Sequence, residues 1–398
     1  MLEKEIRSYL EKGEITTPCY IFDYDELNVR FQRLKQVFGE TGRFCYAIKA
    51  NPFLIQGMDM QLEKYEVCSP GELEICVENG IDMRKVVFSG VNKGIIEMER
   101  ALDQKVGVIT IESEMQWKWL LQCIDEKQGK VNVLLRLTSG AQFGLEKSEL
   151  EEIIRTRNEH LQINILGIQY FSGTQKKKIE KISEELNMLH NFCVELERKY
   201  DYKTVELEYG PGLYFPYFQG EMKDDLEGIK VIRSFFEVTK HDYQVIIELG
   251  RYIAATCGHY ITQIVDLKRN HGGNFCLVDG GIHQMNYYGQ NMAMRIPQIS
   301  HIAAKKTEKK YQEVLKWTIC GSLCTFADVL LRGYETDQIA IGDWFVFYNL
   351  GAYSVMEGMS LFLSRNLPAV YVYSKKEGLT VQRKPQKTYC FNFGGGKM

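Results

Sequence analysis

No large surplus of either charge, no long apolar run and no Cys-x-x-Cys pair marks this 398-residue sequence, and each absence removes a class of protein. With 49 Lys+Arg against 52 Asp+Glu the formal net charge is −3, so neither nucleic acid nor an anionic membrane surface is expected as a partner. No run approaches the ~20 apolar residues of a membrane span. The start, Met1-Leu2-Glu3-Lys4-Glu5, lacks the apolar core of a signal peptide, and a soluble cytoplasmic protein is expected. The 11 cysteines are odd in number and scattered, and none of the seven histidines stands at ligand spacing from a second His or Cys. That pattern argues against structural zinc and a disulfide framework, and no metal is expected. Internal repeats and low-complexity tracts are missing as well.

What is present is enough chain for one large domain and a smaller one. A short polar helix over 1–13 is followed by a strand, Thr17 to Asp23, whose last residue caps a helix reaching about Phe38. An alternation then begins. β-rich runs recur at Phe44 to Ile48, Tyr65 to Cys68, Val86 to Ser89, Gly107 to Ile111, Val131 to Leu137, Ile165 to Tyr170, Val205 to Tyr209 and Val245 to Glu248. Stretches of helical period lie between most of them, such as Gly71 to Asn79, Lys147 to Arg155, Ile179 to Lys199 and Asp224 to Thr239. Eight strands alternating with helices is the count that closes a (β/α)8 TIM-type barrel, here an α/β domain over residues 25–250. Beyond Arg251 the β-type runs are joined by turns, with a short helical piece expected near Phe326 to Arg332. A mostly antiparallel β domain, residues 1–24 and 251–398, is the reading. The tail from Asn392 through Gly394-Gly395-Gly396 is expected to be loose.

Such barrels keep their active sites at the C-terminal ends of the strands. Those ends offer Lys49, Glu66 with Ser69, Ser89-Gly90, Glu112-Ser113, Arg136, Phe171 with Gly173-Thr174, Gly210-Pro211-Gly212, and Glu248 with Gly250-Arg251. Lys49 ends the apolar strand Phe44 to Ile48. It either marks an exit into solvent or is a desolvated amine suited to Schiff-base chemistry. The glycines around 210–212, the Thr174 hydroxyl and the Arg251 guanidinium suit a phosphate, although Gly-x-Gly equally describes a tight strand-to-helix turn. Glu248 could keep a pyridine nitrogen protonated, or pair with Arg251 or another structural base. As a set, these residues fit pyridoxal 5'-phosphate (PLP).

With these residues in view, the chain resembles the fold-type III PLP decarboxylases, the family of diaminopimelate, ornithine and arginine decarboxylases on an alanine-racemase-like barrel. The likeness covers nearly the whole length. Tyr46-Ala47-Ile48-Lys49-Ala50-Asn51 looks like the Schiff-base motif and Cys68-Ser69-Pro70-Gly71-Glu72-Leu73 like the Ser-x-Gly-Glu segment. Phe88-Ser89-Gly90-Val91-Asn92-Lys93, Gln142-Phe143-Gly144 and Glu248-Leu249-Gly250-Arg251 match further blocks, as do Gly321-Ser322-Leu323-Cys324 and Gly351-Ala352-Tyr353. The resemblance implies that Lys49 carries PLP, that Glu248 bonds the ring nitrogen, and that Thr174, Gly210, Gly212, Gly250, Arg251 and Tyr353 surround the phosphate. It also implies a homodimer in which Cys324 reaches the neighbouring subunit's site and protonates the carbanion left by carbon dioxide. On its residue type alone, Cys324 would be a buried structural cysteine.

Three departures bear on function. Phe171 stands where the family has a histidine stacked on the PLP ring, so stacking is retained and proton transfer is not. Leu249 replaces a proline. Thr325 follows Cys324, where the diamine-forming members carry an acid for the substrate's distal ammonium. A hydroxyl cannot neutralise that charge, so diaminopimelate, ornithine and lysine are disfavoured, with Asp328 as a substitute acid only if its loop shifts. Arg136 and Thr325 are candidate substrate contacts. The variants resemble the biosynthetic-pathway branch, which includes the butirosin-pathway decarboxylase acting on a glutamyl group tethered to a carrier protein. The expected activity is therefore α-decarboxylation of an amino acid or aminoacyl conjugate, with an acyl or peptidyl carrier protein as a candidate partner. The alternatives are a diaminopimelate-type decarboxylase of free amino acid, an amino-acid racemase on the same barrel, and a non-catalytic PLP carrier. The amide- and tyrosine-rich stretch Asp279 to Gln290 reads either as a surface for an extended acyl substrate or as an ordinary polar loop.

Overall fold

The structure, a computed structural model, describes residues 2–39, 42–58, 62–124, 129–221, 226–239, 242–287, 293–304 and 313–394. The chain forms two compact units, one of Arg30–Phe215 with Asp224–Ile253, the other of Met1–Val29, Pro216–Lys223 and Ala254–Met398. Among the described residues no helix is long and apolar enough to cross a membrane.

Strand β1 (Cys19–Asp23) follows helix α1 (Leu2–Glu11) and leads into helix α2 (Tyr24–Phe38). Asp23 caps α2 as its sequence position implies, its Oδ1 accepting from the N–H groups of Asp25 at 2.8 Å and Glu26 at 3.1 Å. Eight strands then close the barrel: β2 (Arg43–Ala47), β3 (Lys64–Val67), β4 (Val86–Phe88), β5 (Val108–Ile111), β6 (Val131–Arg136), β7 (Ile163–Phe171), β8 (Glu206–Gly210) and β9 (Gln244–Leu249). Each is parallel to the next and β9 returns to β2, with Cys45 opposite Glu248. These strands are buried along most of their length because helices cover the outside and side chains fill the inside. Cys45, Val87, Val108, Leu134 and Ile246 pack together as an apolar interior layer.

The barrel strands that carry charge do so with period two. Lys64 and Glu66, and Glu206 and Glu208, occupy alternate positions and so share one face of their strands. That face is the lumen. Lys64 of β3 bonds Glu206 of β8, and Gln169 of β7 bonds Glu248 of β9, and neither pair of strands is adjacent.

In the other unit, β10 (Gly258–Asn270), β11 (Gly273–Val278), β12 (Ile299–Ile302), β13 (Leu315–Cys320), β14 (Val329–Thr336), β15 (Trp344–Phe347), β16 (Ala369–Ser374) and β17 (Gly378–Arg383) join β1 in one sheet. Its path runs β14-β13-β11-β10-β1-β16-β17, with β15 pairing β10 and β12. All pairings are antiparallel except β1–β16 and β11–β13. Ile6 and Leu10 of α1 pack on Ile21, Ile261, Val346 and Tyr371 of this sheet.

Two expectations about this unit are corrected. The helical piece near Phe326 to Arg332 is a turn followed by β14, because pairing with β13 fixes the short apolar run Val329-Leu330-Leu331 as strand. Asn392 is tied down, donating to Leu361 O at 2.8 Å and Ser364 Oγ at 2.9 Å, while Gly395 and Gly396 lie outside the described residues.

Candidate active site

Lys49 sits in a single 3-10 turn, Ile48–Ala50, at the end of β2. Asn51 fixes the turn's exit: its side chain accepts from Phe53 N–H at 3.0 Å, and its carbonyl accepts from Tyr46 Oη at 3.0 Å. The turn aims the Lys49 side chain at Glu66, a lumen residue of β3. Its Nζ lies 2.7 Å from Glu66 Oε2 and 3.3 Å from Cys68 Sγ, and that thiol is 3.2 Å from Glu66 Oε1. Of the two readings of Lys49, its place against a buried acid favours a held amine over a simple exit into solvent. Burial pulls the Lys49 amine down, but the charges of Glu66, Cys68 and Glu248 outweigh it and hold the amine well above its ordinary range. The buried acid that holds this proton, Glu66, is held below its ordinary value: burial raises it, and the Lys49 charge and hydrogen bond more than reverse that.

Glu248 lies inside the same barrel, nearly buried, and accepts from Gln169 Nε2 at 2.9 Å. Burial, then the charge of Glu66, pushes its carboxyl up to about 7 against the opposing pulls of Lys49, Gln169 and Arg136. It can carry a proton near neutrality and give it to a base placed beside it. Glu208 is fully buried and neither of its carboxyl oxygens has a hydrogen-bond partner among the described residues. Burial keeps it protonated, opposed by Lys64 and reinforced by Glu248, Glu206 and Glu66.

The glycine positions meet as well. Lys176 N–H donates to Gly212 O at 2.9 Å, joining the loop after β7 to the loop after β8. Gly212 has φ 59°, and a Cβ there would stand 1.8 Å from Gly173 O, so only glycine fits beside Gly173-Thr174. A Cβ at Gly210 would fall 2.7 Å from the Phe171 ring, so this glycine makes room for that ring at the strand end. Gly250, next to Arg251, packs against Ala47 and Ala50, which brings the end of β9 beside the Lys49 turn.

Other strand-end residues turn out differently. Ser69 and Ser113 are helix caps, their hydroxyls accepting from Glu72 and Gln116 N–H at 3.2 Å. Arg136 donates to Glu112 Oε2 at 2.9 Å and lies over the Phe143 ring, so its charge is already matched inside the protein. Sequence reasoning gave no role to Glu66 as the lysine's partner, nor to Gln169, Glu208 or Lys93. Lys93 is almost wholly buried and donates to Gly90 O at 2.6 Å, and burial pushes it down to about 8 against the charge of Glu112. The period-two charges on β3 and β8 were the available signal for Glu66 and Glu208.

Four expected site residues belong to the other unit. Cys324 and Thr325 stand in an exposed turn after β13, so Cys324 is not the buried cysteine its type alone suggested. Tyr353 holds φ 68°, a left-handed conformation uncommon for an aromatic residue and often found at functional positions. Asp328 is buried, and its two carboxylate oxygens accept from Ile282 N–H at 2.8 Å and Leu323 N–H at 2.7 Å. It ties the turn together, so its candidacy as a stand-in acid for a substrate ammonium is withdrawn. The described part of Asp279 to Gln290 is likewise engaged internally. Asp279 accepts from Thr17 and Thr262 hydroxyls at 2.6 Å, Gln284 from Tyr260 Oη at 2.5 Å, and Tyr287 Oη bonds Tyr348 O at 2.7 Å. Tyr288, Gly289 and Gln290 lie outside the described residues.

A rim lysine, a lumen acid that carries a proton near neutrality and a side-chain-free cradle between two adjacent loops fit an aldehyde cofactor with a pyridine ring and a phosphate. The fold and site thus define a PLP enzyme of the barrel type. The chain belongs to the pyridoxal-dependent decarboxylases: residues 24–255, more than half of it, match the family model for their pyridoxal binding domain. It is 25% identical over 395 residues to the L-glutamyl-[BtrI acyl-carrier protein] decarboxylase of Niallia circulans, covering 90% of this chain and 91% of that one. The 2-[(L-alanin-3-ylcarbamoyl)methyl]-2-hydroxybutanedioate decarboxylase of Staphylococcus aureus is 24% identical, covering 90% and 94%. The diaminopimelate decarboxylase of M. jannaschii superposes with a TM-score of 0.81 at 21% identity, covering 94% of this chain and 91% of that one, which shows the shared fold. The protein is a PLP-dependent amino-acid decarboxylase, a carboxy-lyase.

Proposed function

We propose that this carboxy-lyase acts on a neutral or glutamate-like amino acid or aminoacyl conjugate, including one carried by an acyl or peptidyl carrier protein, in a specialised biosynthetic pathway. In this reading Lys49 binds the cofactor's aldehyde, Glu248 faces its ring nitrogen, Phe171 packs on the ring, and Thr174, Gly210, Gly212, Gly250 and Arg251 surround the phosphate. Tyr353 and Cys324 are added on the strength of the family resemblance. Bound there, the cofactor supplies the electron sink that accepts the electron pair left when carbon dioxide departs.

The protein's own groups do the rest. Glu66 positions the Lys49 amine through its hydrogen bond, and the amine acts as the nucleophile once its proton has left. Glu248, fixed by Gln169, gives its proton to the ring nitrogen and remains beside it as a carboxylate. Phe171 excludes water from the ring face and moves no proton. Cys324 returns a proton to the substrate carbon across the interface of a homodimer.

The observation that carries the substrate reading is the state of Asp328. It is the one acidic side chain between Gly321 and Asp328, it is buried, and each of its oxygens faces a backbone N–H group rather than the surface of the turn. Thr325 supplies no charge either. A distal ammonium brought to this turn would lose its hydration with no anion to replace it, a penalty of several kcal/mol. The similarity to a decarboxylase named for a carrier-linked glutamyl substrate supports the same direction.

The test is a screen of free amino acids and carrier-bound aminoacyl groups for released carbon dioxide, with glutamate-like and neutral substrates expected to exceed diamino acids by at least about a hundredfold in kcat/KM. Preference for diaminopimelate or ornithine refutes the substrate reading. Lys49→Ala is expected to abolish borohydride trapping of the cofactor, and a variant that is still trapped and still turns over refutes the assignment of the lysine.

A further inference from the structure

Asp23, Glu26 and His259 have no part in the reading above, yet they converge. All three lie within the non-barrel unit. Asp23 ends β1, Glu26 is in the first turn of α2, and His259 stands near the start of β10, opposite Ile21 in the β1–β10 pairing. Their donor atoms lie within 4.8 Å of one another.

The histidine is the informative member. Its side chain is 4% exposed, and neither Nδ1 nor Nε2 has a hydrogen-bond partner among the described residues. A buried imidazole with both nitrogens unbonded is costly and asks for a ligand. Its Nε2 lies 3.5 Å from Glu26 Oε2 without making a hydrogen bond. Two donors that each stand ~2.0–2.1 Å from a tetrahedral metal ion are about 3.3–3.4 Å apart, so this spacing suits a shared cation.

Asp23 is nearly buried, and one of its oxygens is held by the Asp25 and Glu26 N–H groups, which orients the carboxylate and leaves the other oxygen to act as a ligand. Among the described residues no lysine or arginine pairs with Asp23 or Glu26 to balance the two acids. Tyr348 presents its ring edge-on to the imidazole at 5.2 Å, and the buried Cys257 thiol is close enough to feel both carboxylates. A proton on His259 neutralises one acid, whereas a divalent cation neutralises both.

We propose that Asp23, Glu26 and His259 bind a divalent transition cation of the zinc class, through one imidazole and two carboxylates, with a fourth position open to water. Its role is structural. It clamps β1 and the start of α2 to β10, close in sequence to where the chain leaves this unit at Val29 and returns to it at Ala254.

The experiment loads the chelator-stripped, PLP-containing full chain with zinc chloride, removes free metal by desalting, and measures bound zinc by elemental analysis. Wild type is compared with Glu26→Gln, His259→Gln and Asp23→Asn. Wild type should retain one equivalent more than each variant, and its denaturation midpoint should rise with zinc while those of the variants do not. Glu26 is 41% exposed, so Glu26→Gln is least able to disturb folding and decides the matter. Equal zinc retention by wild type and Glu26→Gln, as binding to the thiols would give, overturns the site. So does an imidazole NMR signal for His259 that titrates unchanged with zinc present.

Discussion

Glu248→Gln tests whether the acid proposed to face the cofactor's ring nitrogen is held at a cost to the fold. Its carboxyl ionises near 4.5 in an ordinary setting and at about 7 in the folded barrel. That difference corresponds to about 3 kcal/mol against ionisation, an upper figure because Glu66 and Lys49 readjust in the variant. Folding raises this group's pKa, so the stability contributed by its neutral form is complete below about 4.5 and is lost as pH rises through about 7. Glutamine is neutral throughout and keeps an oxygen for Gln169 to donate to. Cofactor-free Glu248→Gln should therefore match wild type near pH 4.5 and exceed it by up to about 3 kcal/mol at pH 8.5, a midpoint increase of roughly 2–4 °C per kcal/mol in a body of this size. The same variant cannot hand a proton to the ring nitrogen, and kcat at saturating PLP should fall about 10²–10⁴-fold. Thermal denaturation of the cofactor-free proteins at both pH values, with carbon dioxide release from the holoenzymes, measures both effects. A stability difference independent of pH refutes the electrostatic account, and wild-type turnover refutes the role given to Glu248.

Glu66→Gln removes the first charge that raises Lys49, so the amine should lose its proton at lower pH and capture added PLP faster between pH 7 and 8, as followed by the cofactor's absorbance. A slower capture would show that Glu66 is needed to accept the proton. Gly212→Ala places a methyl group where Gly173 O stands, at a positive φ, and should destabilise by about 2 kcal/mol or more and weaken PLP binding, read by denaturation and by cofactor titration. Asp328→Asn leaves at most one oxygen for the Ile282 and Leu323 N–H groups and should destabilise the Cys324 turn by about 1–3 kcal/mol. Limited proteolysis detects that loss, and an unchanged cleavage rate would mean that the aspartate does not hold the turn.

The barrel was legible in the sequence because its strands are short apolar runs punctuated by helices, a pattern set by burial on both faces. Lys49 and Glu248 were legible because a charged residue at the end of such a run is out of place. The protonation of Lys49 was not, since it depends on Glu66 one strand away, and adjacency between β2 and β3 is a property of the closed sheet. Asp328 shows the same limit. Read along the chain it is a free acid four residues after Cys324, and only the approach of Ile282 and Leu323 N–H groups reveals that both its oxygens are used. The helical expectation near Phe326 failed because three apolar residues in a row carry no period until a partner strand supplies one.

The sequence by itself determined the alternation of elements, the glycines that permit Gly212 its left-handed turn, and the chemical types at each strand end, because these depend on residues a few positions apart. Only the tertiary structure decided which charges face one another. Lys49 with Glu66, Gln169 with Glu248, and Asp23 and Glu26 with His259 more than 230 residues later are brought together by closure of a barrel or pairing of strands. Proton affinity and ligand affinity both follow from those distances, which the order of residues does not contain.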